Sequence, residues 1–531
     1  MYSLTAPISQ TFKAQGLSEP SADASSSGDA APYRLGRSDK YSARSKPHNH
    51  SGNRAIRLSS DLMNRRTRDN QRNIPLFKRS VDVIRDIVVG AEGVKAWANP
   101  FDSSFGFLYD QRPDTELMRS INYCLESDEK FERWANTPKF CDATGQMTFA
   151  EMQRQSISEN VLTGDVILVE TASHPKSPVP LAYKMIEREQ LDCSRDRPAT
   201  KDQNAIVNGF EIDQMGREVG CWILDDHPYD DSFRSGTSQF IKATRYIHVW
   251  RSFRPSQTIG TTWLHAMATV LMDRENLINA ELQTALKQAL MCLIYKTDFE
   301  SEEGLGFTQD VDERGRPIVT FDNYTQAIEI GKDEEVKLVE TTRPNSEMDK
   351  FFKLTDHDAA AAAGLSYYSL TGRFSETNYT GFRGASNLEA ACMAVVQNWF
   401  SWRMVCPVRQ RWNELAAALG HLKTVSPVDF AKEKTRFQTF DFVGPGRFLI
   451  EPDGELKADL AFVRSNIRSH RRICAKHGEH WLKVYRDRSL EQRIEAMLNI
   501  RSDYSNQGMV PVDSASQPRN VDNTEQQREQ Q

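Results

Sequence analysis

The residues that could do chemistry in this chain fall short of every catalytic pattern they suggest. Gly331-Lys332 is the nearest approach to a nucleotide-phosphate loop, yet Asp333 follows where Ser or Thr is needed, and Gln326 stands where the first loop glycine belongs. His48-Asn49-His50 would suit a nuclease only with a supporting metal constellation, which the surrounding sequence lacks. Cys474, His477 and His480 offer three ligands within seven residues, but inside an apparent helix. Neither Gly-x-Ser-x-Gly nor His-Glu-x-x-His occurs. Catalysis is therefore not expected, and no cofactor or metal is implied.

The eight cysteines are scattered without a Cys-x-x-Cys pair and read as free thiols. Charge is distributed unevenly. Residues 1–80 carry 14 Lys or Arg against 6 Asp or Glu, leaving 53 against 67 in the rest, a net −14. A basic arm on an acidic body can meet nucleic acid or an acidic partner, with Arg65, Arg66, Arg68 and Arg72 as interaction candidates. A solvated, flexible tail explains the same charges. The acidic body lacks the footprint of tight DNA binding.

At 531 residues with 39% hydrophobic and 26% charged positions, two or three globular regions are expected. No run of about 18 apolar residues occurs, so no membrane span is expected, and the N-terminus lacks a signal-peptide core, which points to synthesis in the cytosol.

The elements that would position any site are an α+β set. Residues 1–60, rich in Ser, Ala, Gly and Arg, read as a disordered arm, with order beginning near Asp61 and helical spacing from Leu62 to a stop at Gly90. Between Leu162 and Trp250, turn signals precede Val166–Val169, Phe210–Ile212 and Cys221–Leu224, which predicts a mostly antiparallel sheet. Thr261 or Thr262 caps a predicted helix reaching Thr297, about 50 Å long at the usual rise. Asp298–Thr342 is an acidic insert with strand candidates at Ile318–Phe321 and Val336–Val339. A second helix, capped by Asn345 or Ser346, runs to Gly364, and a polar loop follows over Leu365–Tyr379. A third helix from about Phe382 to Leu419 must kink at Pro407. Its Trp399, Trp402 and Trp412 have the spacing of packing residues, although tryptophans can also stack on bases. The region from Gly454 is helical and Arg-rich, and a polar tail begins at Ser505.

Collinear motifs over some 400 residues carry a resemblance. They are Arg66–Pro75 with Ile87–Gly90, Cys141-Asp142-Ala143, Leu162-Thr163-Gly164-Asp165, Asn208–Asp213, His227-Pro228, Tyr246–Val249, Phe253-Arg254-Pro255, and most specifically Leu370-Thr371-Gly372-Arg373-Phe374-Ser375-Glu376-Thr377-Asn378-Tyr379. In this order they resemble the lambda-type portal family of tailed phages. Departures occur at Arg373, where the family usually has an acidic residue, at Thr380-Gly381, where it has a Ser-Ser-like pair, and near Ile259, where it has a basic residue.

The resemblance implies a twelve-subunit ring at one capsid vertex, through which double-stranded DNA is packaged by the terminase large subunit, retained and ejected. Further implied partners are the major capsid and scaffold proteins and head-tail connector or adaptor proteins. It implies a virion component assembled in the bacterial cytoplasm. The expected division is a wing of helices and mixed sheet (61–260), stem helices (261–297 and 344–364), a small α/β clip (298–343), a tunnel loop (365–381), a long wing helix and return (382–450), a helical crown (451–504) and a tail (505–531). Arg373, Asn378, Tyr379 and Arg383, in or beside the tunnel loop, become candidates for touching DNA, unless the two arginines pair with acids such as Glu376 or Glu389. A different connector or minor capsid protein is the alternative, and a terminase-like subunit a weaker one given the failed phosphate loop.

Overall fold

A computed structural model of the chain describes residues 50–99, 114–231, 236–289, 293–296, 309–311, 317–321, 325–330, 348–374, 377–446 and 451–499. His48 and the bulk of the arm, the Val336–Val339 strand candidate, the Asn345 and Ser346 caps and the tail lie outside them.

The first helix, α1, spans Gly52–Asn73, so helix begins nine residues before the expected onset of order at Asp61. Its buried contacts are few and mostly polar (Asn64, Thr67, Asn70), which is why the hydrophobic pattern understated it. Pro75, whose missing N–H costs nothing at a helix start, opens α2 at Pro75–Val88. Phe77, Val81, Ile84 and Val88 recur on one face and are all buried. Gly90 takes a left-handed φ of 69° where the sequence predicts a stop.

Three further helices follow the short strand β1 (Lys95–Ala98): α3 (Asp114–Ala135), α4 (Pro138–Cys141) and α5 (Phe149–Leu162). A capping box starts α5, with Thr148 and Glu151 satisfying each other's backbone N–H. Instead of one antiparallel sheet, the next hundred residues form two. One has the order β3-β2-β8, from Asp165–Thr171 (β2), Ala182–Ile186 (β3) and Tyr246–Trp250 (β8). The other runs β4-β5-β6-β7, from Ala205–Val207, Phe210–Ile212, Glu218–Leu224 and Ser238–Lys242. All pairings within them are antiparallel.

Gly164 precedes β2 at φ 95°, and a Cβ there would collide with the backbone of Gly260 and Thr261. Only glycine permits that approach, which gives the Leu162–Asp165 motif a physical reason.

The predicted 262–297 helix is shorter. It spans His265–Ala289 (α6), and Leu293–Lys296 turns to strand (β9). The β-branched and aromatic run Leu-Ile-Tyr-Lys finds a parallel partner in Thr325–Ile330 (β12), a long-range pairing that helical periodicity cannot reveal. With Gln309–Val311 (β10) and Pro317–Phe321 (β11) they make a four-stranded sheet of order β10-β11-β12-β9. The second helix, α7, spans Met348–Ala363 and ends at Gly364, φ 71°.

The expected polar loop is partly helical, since Tyr367–Thr371 forms α8 with Leu370 buried beneath it. The third long helix begins at Tyr379, earlier than Phe382, and runs to Phe400 (α9). Where Pro407 predicts a kink, the chain makes a π-helical turn over Ser401–Val405 and resumes as α10 (Cys406–Ala418) with Pro407 in its first turn. The wider turn absorbs the proline's missing donor without ending the helical path. After short helices at Pro427–Lys432 (α11) and Lys434–Phe437 (α12), β13 (Phe440–Val443) pairs antiparallel with β1, closing a loop of more than 300 residues. The C-terminal helices are α13 (Pro452–Arg464), α14 (His470–Lys476) and α15 (Trp481–Leu498).

One hydrophobic core gathers α2, α3, α5, β2, the N-terminal part of α6, the C-terminal end of α7, and α9 with α10. A smaller one lies between β2 and the β4–β7 sheet, around Ile167, Phe210 and Cys221. The seven cysteines among the described residues are all free thiols. No helix of the described residues is long and apolar enough to cross a membrane.

Candidate functional site

The segment between α7 and α9 is built to hold a short exposed tip on a fixed base. Ser366 caps α8 by accepting from the Ser369 N–H at 3.1 Å, and Gly372 ends it at φ 69°. The hydroxyls of Ser366 and Ser369 donate to the buried Glu389 carboxylate at 3.2 and 2.7 Å. Arg79 of α2 donates to the Ser369 carbonyl at 3.2 Å. Above this base Tyr368, Phe374 and Phe382 pack as an aromatic triad, with Phe374 and Phe382 edge to face at 5.5 Å.

Asn378 spends its side chain as the N-cap of α9, accepting from Gly381 N–H at 2.7 Å. Tyr379 and Arg383 both donate to Glu451, at 3.4 and 3.3 Å. Arg383 therefore does pair with an acid, but with Glu451 and not with Glu389, whose partners are the two serines. Glu376 lies outside the described residues. Arg373 is exposed at the tip, close enough to Asp356 of α7 for its charge to be felt there. Burial pushes the Asp356 carboxyl up, while Arg274 and Arg373 pull it down. The Arg274–Asp356 ion pair, at 2.8 Å, ties α6 to α7.

The four arginines singled out near the arm sit on α1. Arg68 is committed internally, donating to Glu159 at 3.0 Å and Glu189 at 2.9 Å and pairing with Glu187 at 3.3 Å. Arg65 pairs with Asp61, and Arg72 reaches Asp69 at 4.0 Å. Arg66 is exposed. Glu187, Glu189 and His227 converge as metal donors could, but Arg68 already supplies their counter-charge.

Two of the three tryptophans pack. Trp412 is fully buried and Trp399 meets Trp263 edge to face at 5.5 Å, whereas Trp402 is 58% exposed beside Phe442. The Cys474, His477 and His480 trio does not converge on a common point: His477 bonds Asp459 at 3.1 Å, and His480 stacks on Trp97 at 5.1 Å.

Sequence reasoning missed two buried charge hubs, Asp165 with Arg188 and His248, and Asp128 with Arg409. Each pair is separated by 23 to 281 positions, so no local pattern marks it.

Comparison with known proteins supports the resemblance. Residues 38–397 match the family described as phage portal protein, lambda family, and the chain belongs to that family. It is similar to the probable portal protein of Halomonas phage phiHAP-1, 23% identical over 371 residues and covering 68% of each chain. It is also similar to the portal protein of Escherichia phage N15, 19% identical over 451 residues (78% of this chain, 84% of the relative). Portal protein B of Escherichia phage lambda is 18% identical over 444 residues (77% and 81%). Among solved structures, a chain in the neck of a native GTA particle computed with C12 symmetry covers 79% of this chain and 98% of its own, at 14% identity and a TM-score of 0.38. The chain is thus a portal protein, a structural component of a phage virion and not an enzyme.

Proposed function

We propose that twelve copies of this chain form a ring at one capsid vertex, a conduit through which the terminase motor packages double-stranded DNA and to which connector proteins later attach. One observation supports this best. The α6 and α7 helices root in the main core through Met267, Leu271, Ala359 and Ala360, yet further along they expose Leu282, Phe351 and Leu354, with the β9–β12 sheet lying between them in sequence. Such a helix–sheet–helix excursion suits a stem and clip whose outward apolar residues are covered by neighbouring copies.

The acidic body suits a conduit. Each phosphate neutralised along the wall would add affinity and salt dependence that oppose sliding. A net −14 beyond residue 80, repeated around a ring, keeps DNA from sticking. Arg373, Asn378, Tyr379 and Arg383 are the contacts we assign to the tunnel loop. Arg373 is the strongest, because Asn378 is occupied as a cap and Arg383 shares Glu451.

Negative-stain images of the purified chain are expected to show rings with a central hole; dispersed monomers would overturn the reading. In phage carrying Arg373→Ala, packaged DNA is expected to be shorter or poorly retained. Unchanged packaging and retention would remove Arg373 from that role.

A further inference from the structure

The body is acidic, but one stretch of it is not: residues 464–488 hold eight Lys or Arg against two Asp or Glu. Within it, residues 464–472 contain four arginines, two serines, an asparagine, a histidine and no acid. The structure makes this stretch a defined turn between α13 and α14. Asn466 takes a left-handed φ of 55°, and the N–H groups of Ile467 and Arg468 both donate to the Phe462 carbonyl, at 3.0 and 3.2 Å. The Arg468 guanidinium lies 4.6 Å over the Phe462 ring, which fixes its stem.

Nearby carboxylates are already engaged. Asp459 holds Lys476 and His477, and Asp441 holds Arg471. Arg464, Arg468 and Arg472 are exposed, and among the described residues none of the three has a carboxylate partner.

We infer that Arg464, Arg468 and Arg472 form a phosphate-binding patch for double-stranded DNA, separate from the tunnel loop. Arginine forks match phosphate oxygens bidentately, and Ser465, Asn466 and Ser469 add the neutral donors that accompany phosphate contacts. An ordered turn presents them with little entropy left to lose. The choice of DNA as partner rests on the portal reading; the anion chemistry does not. Since the patch lies on the C-terminal helices and outside the stem helices, it can hold DNA without braking its passage along the α6 and α7 walls.

The test is binding of a short fluorescent DNA duplex to the full-length assembled protein across a salt series, for wild type and for Arg464→Ala/Arg468→Ala/Arg472→Ala. Negative stain of both checks the ring. Expected are intact rings, affinity reduced at least tenfold at low salt, and a log–log salt slope shallower by roughly 2 to 3, about one for each phosphate left without its arginine. Intact rings with unchanged affinity and slope overturn the patch alone. Reduced binding restored by Arg→Lys at all three positions supports charge without the fork geometry and overturns the bidentate assignment. Weaker binding of an acidic polypeptide with unchanged DNA binding would assign the patch to a protein partner and overturn the DNA proposal. Wild-type protein that forms no ring counts against the ring proposed above, and not against the patch.

Discussion

Arg409→Ala is expected to destabilise the fold by about 3–5 kcal/mol, the usual cost of leaving one member of a buried ion pair alone. Arg409 is fully buried and donates to Asp128 at 2.7 Å and to the Ser127 hydroxyl at 2.8 Å, with its guanidinium 4.3 Å over Phe131. Asp128 also accepts the Ala98 N–H at 2.9 Å, so the pair joins α10, α3 and β1. Burial pushes the Asp128 carboxyl up to about 7 even with Arg409 opposing it. Removing the guanidinium therefore leaves a carboxylate that must take up a proton or open the core to water. Urea denaturation followed by tryptophan fluorescence measures the destabilisation. Adding Asp128→Asn should recover part of it, because the stranded charge is gone; a change under about 1 kcal/mol in the single variant would mean the site is wetter than its burial indicates.

What the sequence discloses here follows the range of the interactions. Local signals held: Gly90, Gly364 and Gly420 all take positive φ where helices were expected to stop, and the strand turns at Gly164 and Asn208-Gly209 fall where the turn residues place them. The places that differed depend on distant partners. Leu293–Lys296 has a composition compatible with the end of a long helix, and only β12, more than thirty residues on, makes it a strand. The Leu365–Tyr379 segment looks polar by composition, yet Leu370 and Glu389 turn a third of it into a capped helix. Arg68 reads as part of a basic arm until Glu159, Glu187 and Glu189 are brought round it. Candidate contact residues were nameable because they carry free-standing chemistry. The engagement of Tyr379 and Arg383 with Glu451 was not, since hydrogen-bond partners some seventy positions away leave no trace in spacing.

The Asp165 hub should make stability depend on pH in a direction opposite to ordinary acid denaturation. Asp165 is fully buried and accepts from Arg188, from the His248 ring at 3.0 Å and from the Gly260 N–H at 2.7 Å. His248 meets Glu218 on its other nitrogen at 2.8 Å and stacks on Phe210 at 4.3 Å. Burial alone would lower the pKa of His248, but the Glu218 and Asp165 carboxylates outweigh it and raise it to about 9. A folded-state pKa above the unfolded value means the stabilisation is complete below about 6.5 and is lost as pH rises through about 9. The difference is on the order of 3 kcal/mol. Denaturation midpoints measured from pH 6 to 10 should fall across that window, and His248→Gln should flatten the fall. Asp165→Ala removes the counter-charge of Arg188 as well as that of His248, so its cost at pH 7 is expected to reach about 3–5 kcal/mol. It should also shift the pH at which the remaining histidine titrates downward, readable by NMR of the imidazole protons. A midpoint that does not fall between pH 6 and 10 in the wild type would show that the folded-state pKa of His248 is not raised, and would overturn the assignment of its two carboxylate partners as a net stabilising charge pair.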